Sequence, residues 1–168
     1  IWNVGRFVIS AIDSLTPPSA PLSHVGSGAG GEDDWTLADS WIWAKLQQLI
    51  RDVERLFQTF QYGEAGRQIY EFIWSDFADW YVEIAKGQLT NDETRTSTAV
   101  TLARVFDISM RLLHPFTPFI TEEIWQQLPL EREDGSIMIA RFPKPDGRFD
   151  DDPSTDEMEL VIEIVTAL

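Results

Sequence analysis

Apolar positions recur along most of this chain at helical spacing. Ile42, Leu46, Leu49, Ile50, Val53, Leu56, Phe57 and Phe60 follow the i, i+3, i+4, i+7 pattern of an amphipathic helix. Asp39 stands ahead of the run as its cap, and Tyr62-Gly63 breaks it. A third helix is predicted from about Glu64, with Ile69, Phe72, Ile73, Phe77, Trp80, Tyr81 and Ile84 on its inner face and Gly87 as its end. Thr90 and Glu93 have the spacing of a capping box and open a fourth helix that runs to His114-Pro115. Its apolar set (Leu102, Val105, Phe106, Ile108, Leu112, Leu113) is wide, which predicts cover on more than one side. Thr117 as cap and Pro118 in the first position start a short fifth helix ending near Leu128. Ser136 to Phe142 is the one strand-like run, closed by Pro143 and Pro145.

The two ends are helical in pattern as well. Trp2 to Ile9 opens the chain with no initiator Met and no cap, and Glu159 to Val165 closes it with no Gly or Pro stop. Ser154 and Glu157 have capping-box spacing for that last helix. The expectation is a piece of a longer protein. Residues 16–36 are rich in Pro, Gly, Ser and Ala without periodicity, so a flexible surface loop is predicted there. The predicted fold is all-α: an antiparallel helical bundle over 1–130, a small irregular or short-strand appendage over 131–153, and the start of a further helix over 154–168.

Composition narrows the classes. With 43% hydrophobic and 24% charged residues among 168, the chain has an ordinary globular balance, and its 7 Trp, 10 Phe and 3 Tyr provide for a large core. No cysteine is present, which excludes disulfides and thiolate chemistry. No apolar run approaches the ~18 residues of a membrane span. The net charge of −15 argues against an overall basic footprint for nucleic acid. Residues 131–168 hold 11 acids and 4 bases, and residues 1–130 hold 17 acids and 9 bases, so only a local basic patch is possible.

Catalytic chemistry finds little support. The histidines are His24 and His114, and neither belongs to a Glu-x-x-His pair, so the carboxylate-bridged metal site of helical bundles is excluded. Asp76, Asp79 and Glu83 share a helix face; they either hold a metal or proton, or pair with Arg and Trp donors of neighbouring helices. Gly26 to Gly31 does not stand between a strand and a helix and reads as a linker, not a phosphate cradle. No catalytic or metal residue is predicted.

Binding chemistry has three candidates. Asn3, Arg6 and Phe7 lie on one turn of the first helix. Arg104, Asp107, Arg111 and His114 form one polar stripe, either a solvated face laced by i, i+3 and i, i+4 ion pairs or a cationic edge. Trp41 and Trp43 point to different faces, so at most one fills the core side of that turn; the other, beside Lys45, could stack a base.

Those residues carry a family. Trp2-Asn3-Val4-Gly5-Arg6-Phe7, followed by Leu37-Ala38-Asp39-Ser40-Trp41-Ile42, resembles the opening of the anticodon-binding helical domain of class I aminoacyl-tRNA synthetases. The run from Trp74 to Lys86 is similar to the valyl version, through its Trp-x-x-Phe-x-Asp-Trp-Tyr pattern. Leu113 to Trp125, with His114-Pro115-Phe116, is shared with the isoleucyl enzymes. The matching segments cover most of residues 1–142.

The resemblance implies an upstream catalytic domain with His-x-Gly-His and Lys-Met-Ser-Lys-Ser signatures, neither of which occurs here. It implies ATP and magnesium in the full-length enzyme and no cofactor in this part. It also implies an inserted domain that hydrolyses misattached threonine and, after the bundle, a coiled-coil arm. The implied setting is a cytoplasmic, monomeric, membrane-free enzyme. Its implied partners are tRNA(Val) and its own catalytic and coiled-coil domains. The implied tRNA-binding candidates are Asn3, Arg6, Phe7, Trp43, Lys45, Arg104 and Arg111. Relatives often carry Arg at the positions of Ser40 and Lys45, and Lys lacks the planar fork of Arg. The alternatives are the equivalent isoleucyl domain and a helical protein–protein interaction module.

Overall fold

A computed structural model describes residues 1–13, 35–130, 134–146 and 153–167. Most of the predicted 16–36 loop, His24, and parts of the predicted appendage (131–133 and 147–152) lie outside the described residues, as does Leu168. The elements are α1 (Trp2–Asp13), α2 (Leu37–Gln58), α3 (Tyr62–Glu71), a π-helical segment (Phe72–Tyr81), α4 (Val82–Gln88), α5 (Arg95–Leu113), α6 (Pro118–Gln127) and α7 (Ser154–Thr166). Short connections fold successive helices back on one another, giving the all-α bundle. There is no strand among the described residues.

α2 begins one turn earlier than the apolar run suggests. Thr36, not Asp39, is the N-cap: its hydroxyl accepts from the Asp39 N–H at 3.1 Å, and Asp39 Oδ2 accepts from the Thr36 N–H at 3.1 Å. This reciprocal box satisfies two backbone donors that a helix start leaves open. α2 ends at Gln58, and Phe60 turns the chain with a positive φ of 59° before α3 starts at Tyr62. Tyr62-Gly63 therefore opens the next helix rather than lying outside both.

The third predicted helix runs from Tyr62 to Gln88, but its middle is π-wound. Ile69, Ile73, Phe77, Tyr81 and Ala85 are all buried, a row spaced by four. On an ideal 3.6-residue helix such a row drifts by about 40° per step and would leave the core. The i→i+5 bonding of the π segment, seen where the Val82 N–H donates to the Phe77 carbonyl, widens the turn and keeps the row inward.

Two predicted capping boxes are not formed. α5 starts at Arg95, and Thr90 bonds back to the Gly87 carbonyl at 2.6 Å. Ser154 is already helical and buried, with Pro153 ahead of it, and no side-chain cap bond forms there. α6 does follow Thr117 with Pro118 first, without a side-chain cap bond from Thr117. The strand-like run 136–142 forms turns instead: Ile137 is buried, while Gln126 donates to the Gly135 carbonyl at 2.9 Å and Ser136 to Glu122 at 2.8 Å. With no neighbouring strand, its backbone has no ladder to join.

α5 is the centre of the bundle. Its buried residues include Leu102, Ala103, Val105, Phe106, Met110 and Leu112, and it packs against α1, α2, α3, α4 and α6. The wide apolar set is explained by this all-round cover. α7 lies along α2 with Met158 buried.

Candidate nucleic-acid interface

The position of α1 is set by a glycine. A side chain at Gly5 would come within 3.0 Å of Ile124 Cγ2 and 3.2 Å of Phe106 Cζ, so only a bare backbone lets α1 lie this close to α5 and α6. With Gly5, Val8 and Ile12 buried, Asn3 and Arg6 are left exposed on the outer side. Phe7 is half-buried against the core, and the Lys86 ammonium sits 5.7 Å from its ring centroid. One face of that ring is thus already occupied.

On α2, Trp41 is fully buried and Trp43 is half-buried, meeting Trp35 edge-on at 5.6 Å. Only one of the pair fills the core centre, as the spacing predicts. Lys45 is held by Glu159 of α7 at 3.0 Å. The half-buried Asp76 carboxyl is held above its ordinary value, chiefly by burial and also by Glu159 and Glu71, with Lys45 acting in the opposite direction. Glu83 pairs with Lys86 at 2.5 Å, and Asp79 is exposed. The three carboxylates are thus separated by their partners. Among the described residues, no group of three or more His, Asp or Glu could hold a metal ion.

The polar stripe of α5 is partly internal. Asp107 accepts from Arg111 Nη2 at 2.6 Å and from the Trp125 indole at 2.7 Å. Arg111 also donates to the Arg141 carbonyl at 3.2 Å, and His114 Nδ1 lies 2.8 Å from the Thr121 hydroxyl. Arg104 is half-buried on the same helix.

Beside Arg111 the chain opens into a pocket of about 680 Å³, lined by Ile108, Arg111, Arg141, Phe142, Pro143 and Lys144. Of the seven predicted contact residues, only Arg111 lines it. Asn3, Arg6 and Phe7 share α1, whereas Trp43 and Lys45 are engaged on α2. Arg141, Phe142 and Lys144 were not singled out from the sequence. The signal was present, a basic–aromatic Arg141-Phe142-Pro143-Lys144 run inside an acidic tail. The segment is fixed by buried Pro143 and by the Asp146 N–H, which donates to buried Gln47 at 2.6 Å.

Among the described residues, no helix is long and apolar enough to cross a membrane. Residues 39–168 match the family model for the anticodon-binding domain of tRNA ligase. The whole chain aligns over 170 residues with valine–tRNA ligases of Lactiplantibacillus plantarum (40% identical), Bacillus licheniformis (41%) and Geobacillus stearothermophilus (41%). In each case it covers 100% of this chain and 18% of the relative, so the chain spans about a fifth of the length of the proteins it matches. A helical bundle with this order of elements and this family match places the chain in the family of anticodon-binding domains of tRNA ligases.

Proposed function

We propose that this chain is the anticodon-binding part of a valine–tRNA ligase. It holds the anticodon end of tRNA(Val) while a catalytic domain elsewhere in the enzyme performs ATP- and magnesium-dependent aminoacylation. The observation that carries the reading is the match of the whole chain to valine–tRNA ligases at about 40% identity. The exposed Asn3 and Arg6 on a helix pinned by Gly5 support it, because loop bases are read by hydrogen bonds and by stacking on guanidinium or aromatic planes. The described residues offer no carboxylate cluster for magnesium, so that chemistry belongs to the rest of the enzyme. We place the enzyme in the cytoplasm as a monomer. Of the seven candidates, Asn3, Arg6 and Arg111 remain the best placed, while Lys45 is already paired and Phe7 and Trp43 are half-buried.

A gel-shift series with valine and isoleucine tRNA transcripts tests this. The valine transcript should be retarded at lower protein concentration, with affinity falling between about 50 and 200 mM salt. Equal retardation of both would remove the valine assignment, and no retardation of either would remove tRNA binding itself.

A further inference from the structure

We infer that the pocket between α5 and the 141–144 segment is a binding site for one nucleotide of single-stranded RNA. Arg141 and Lys144 would take its phosphate and Phe142 would stack against its base. The inference rests on the tRNA-binding reading above and gives that reading a specific site.

The argument starts from charge. In a chain of net charge −15, nearly every described cation is matched: Lys45 with Glu159, Arg55 with Asp52, Arg67 with Glu64 and Glu71, Lys86 with Glu83, Arg111 with Asp107. The exposed side chains of Arg141 and Lys144 have no such acceptor, and both stand at the rim of one pocket. Arg111 adds a third guanidinium whose Nε is buried without a hydrogen-bond partner. Three cations and one carboxylate at a single mouth leave an excess positive charge. A phosphodiester supplies the missing anion, and in a partly desolvated pocket charge-assisted N–H···O bonds are about twice as strong as neutral ones.

The second observation is aromatic. Phe142 is 41% exposed and lies 5.7 Å from Phe57, which also meets Tyr62 at 5.4 Å and Phe116 at 6.3 Å. Phe60, held outward at 78% exposure by its positive φ, meets Tyr62 at 6.2 Å. A ladder of rings therefore runs from the α2–α3 turn to the basic pocket. Aromatic faces next to unpaired cations are what sequence-tolerant binding of unstacked nucleotides requires. An acidic peptide would use the cations but not the rings.

The test measures binding of a labelled tRNA(Val) transcript to the 168-residue chain over a salt series. Arg141→Gln with Lys144→Gln should weaken binding and reduce the steepness of the log–log salt dependence by about 1.5, at roughly 0.7–0.9 per lost phosphate contact. Phe142→Leu should weaken it about tenfold with the salt slope kept. Arg95→Ala, 16 residues and about 24 Å along α5 from Arg111, makes one charge change away from the site and should leave both unchanged. The wild-type chain supplies a readout that needs no variant. It has three lysines, and bound tRNA should protect Lys144 from acetylation while Lys45 and Lys86 serve as references. Variants that bind like wild type, an effect of Arg95→Ala equal to that of the pocket changes, or an unprotected Lys144 would each overturn the site while leaving tRNA binding in place. No binding by the wild type would overturn the reading beneath it.

Discussion

The phenol of Tyr81, fully buried at the end of the π segment, donates a 2.5 Å hydrogen bond to Asp39 Oδ1 in the first turn of α2. The same carboxylate closes the capping box with Thr36, and Thr36 Oγ1 in turn accepts from Gln88 at 2.9 Å. One buried acid thereby joins the start of α2 to the helix that carries α4. Burial and the nearby Asp39 push the Tyr81 hydroxyl well above its ordinary value, so it remains a donor at any ordinary pH. Tyr81→Phe removes the bond without changing the ring volume. It should cost about 1.5–3 kcal/mol, the range for hydrogen bonds to charged groups, read from urea unfolding midpoints.

That penalty should depend on pH. Burial holds the Asp39 carboxyl above its ordinary 3.8, with the Tyr81 and Thr36 hydrogen bonds pulling it down. A raised folded-state value means that the native chain keeps this proton longer than the unfolded chain. Asp39's contribution to stability is therefore full below about 3.8 and is lost as pH rises through the folded-state value. The Tyr81 bond favours the ionised acid, so the Tyr81→Phe penalty should be largest at neutral pH and shrink on acidification. Unfolding curves of the pair at pH 4 and 7 check the sign; a penalty that grows in acid would contradict it.

Glycine substitutions should have opposite signs at two helical sites. At Gly5 the new methyl meets Ile124 and Phe106, both buried, so Gly5→Ala sets an overpacking cost of about 1–3 kcal/mol against a helix-propensity gain of about 1 kcal/mol. The net should be destabilising by about 1 kcal/mol. At Gly63, exposed near the start of α3 with open space around it, Gly63→Ala should stabilise by up to about 1 kcal/mol. Thermal melts of the two variants decide it.

Asp107 should distinguish its two bonds. Asp107→Ala withdraws the acceptor from both Arg111 and the nearly buried Trp125 indole, for an expected loss of about 1.5–3 kcal/mol. Asp107→Asn keeps a carbonyl oxygen for Trp125 and gives up only the charge, so it should recover part of that loss. Equal destabilisation by the two would place the whole effect on the ion pair.

Arg6 is exposed and has no ion pair, so Arg6→Ala should leave the melting temperature within about 1 °C of wild type. In a full-length enzyme its removal should cost about 1–3 kcal/mol of cognate discrimination, by analogy with guanidinium–base contacts in DNA. An unchanged ratio between cognate and anticodon-variant tRNA would assign Arg6 no part in recognition.

Local chemistry determined most of the helices. The 3.6-residue spacing from Ile42 to Leu56, Pro118 in the first position of α6, and the broad apolar set of the central α5 are written within single turns of chain. The division of labour between Trp41 and Trp43 is equally local, since two residues apart on a helix cannot share a face. Even the Thr36–Asp39 box was present as a three-residue spacing, although the apolar run made Asp39 the more obvious cap. The tertiary structure decided the rest, because it depended on partners far along the chain. Asp39 is claimed by Tyr81, 42 residues away, and Lys45 by Glu159, 114 residues away. The π winding exists to keep the row from Ile69 to Ala85 against the core, and 136–142 forms turns where no strand lies beside it. The basic pocket arises only where Arg111 meets Arg141 and Lys144. Periodicity fixes which residues face inward, but the charges left over for an RNA are set by which carboxylates the fold brings within reach.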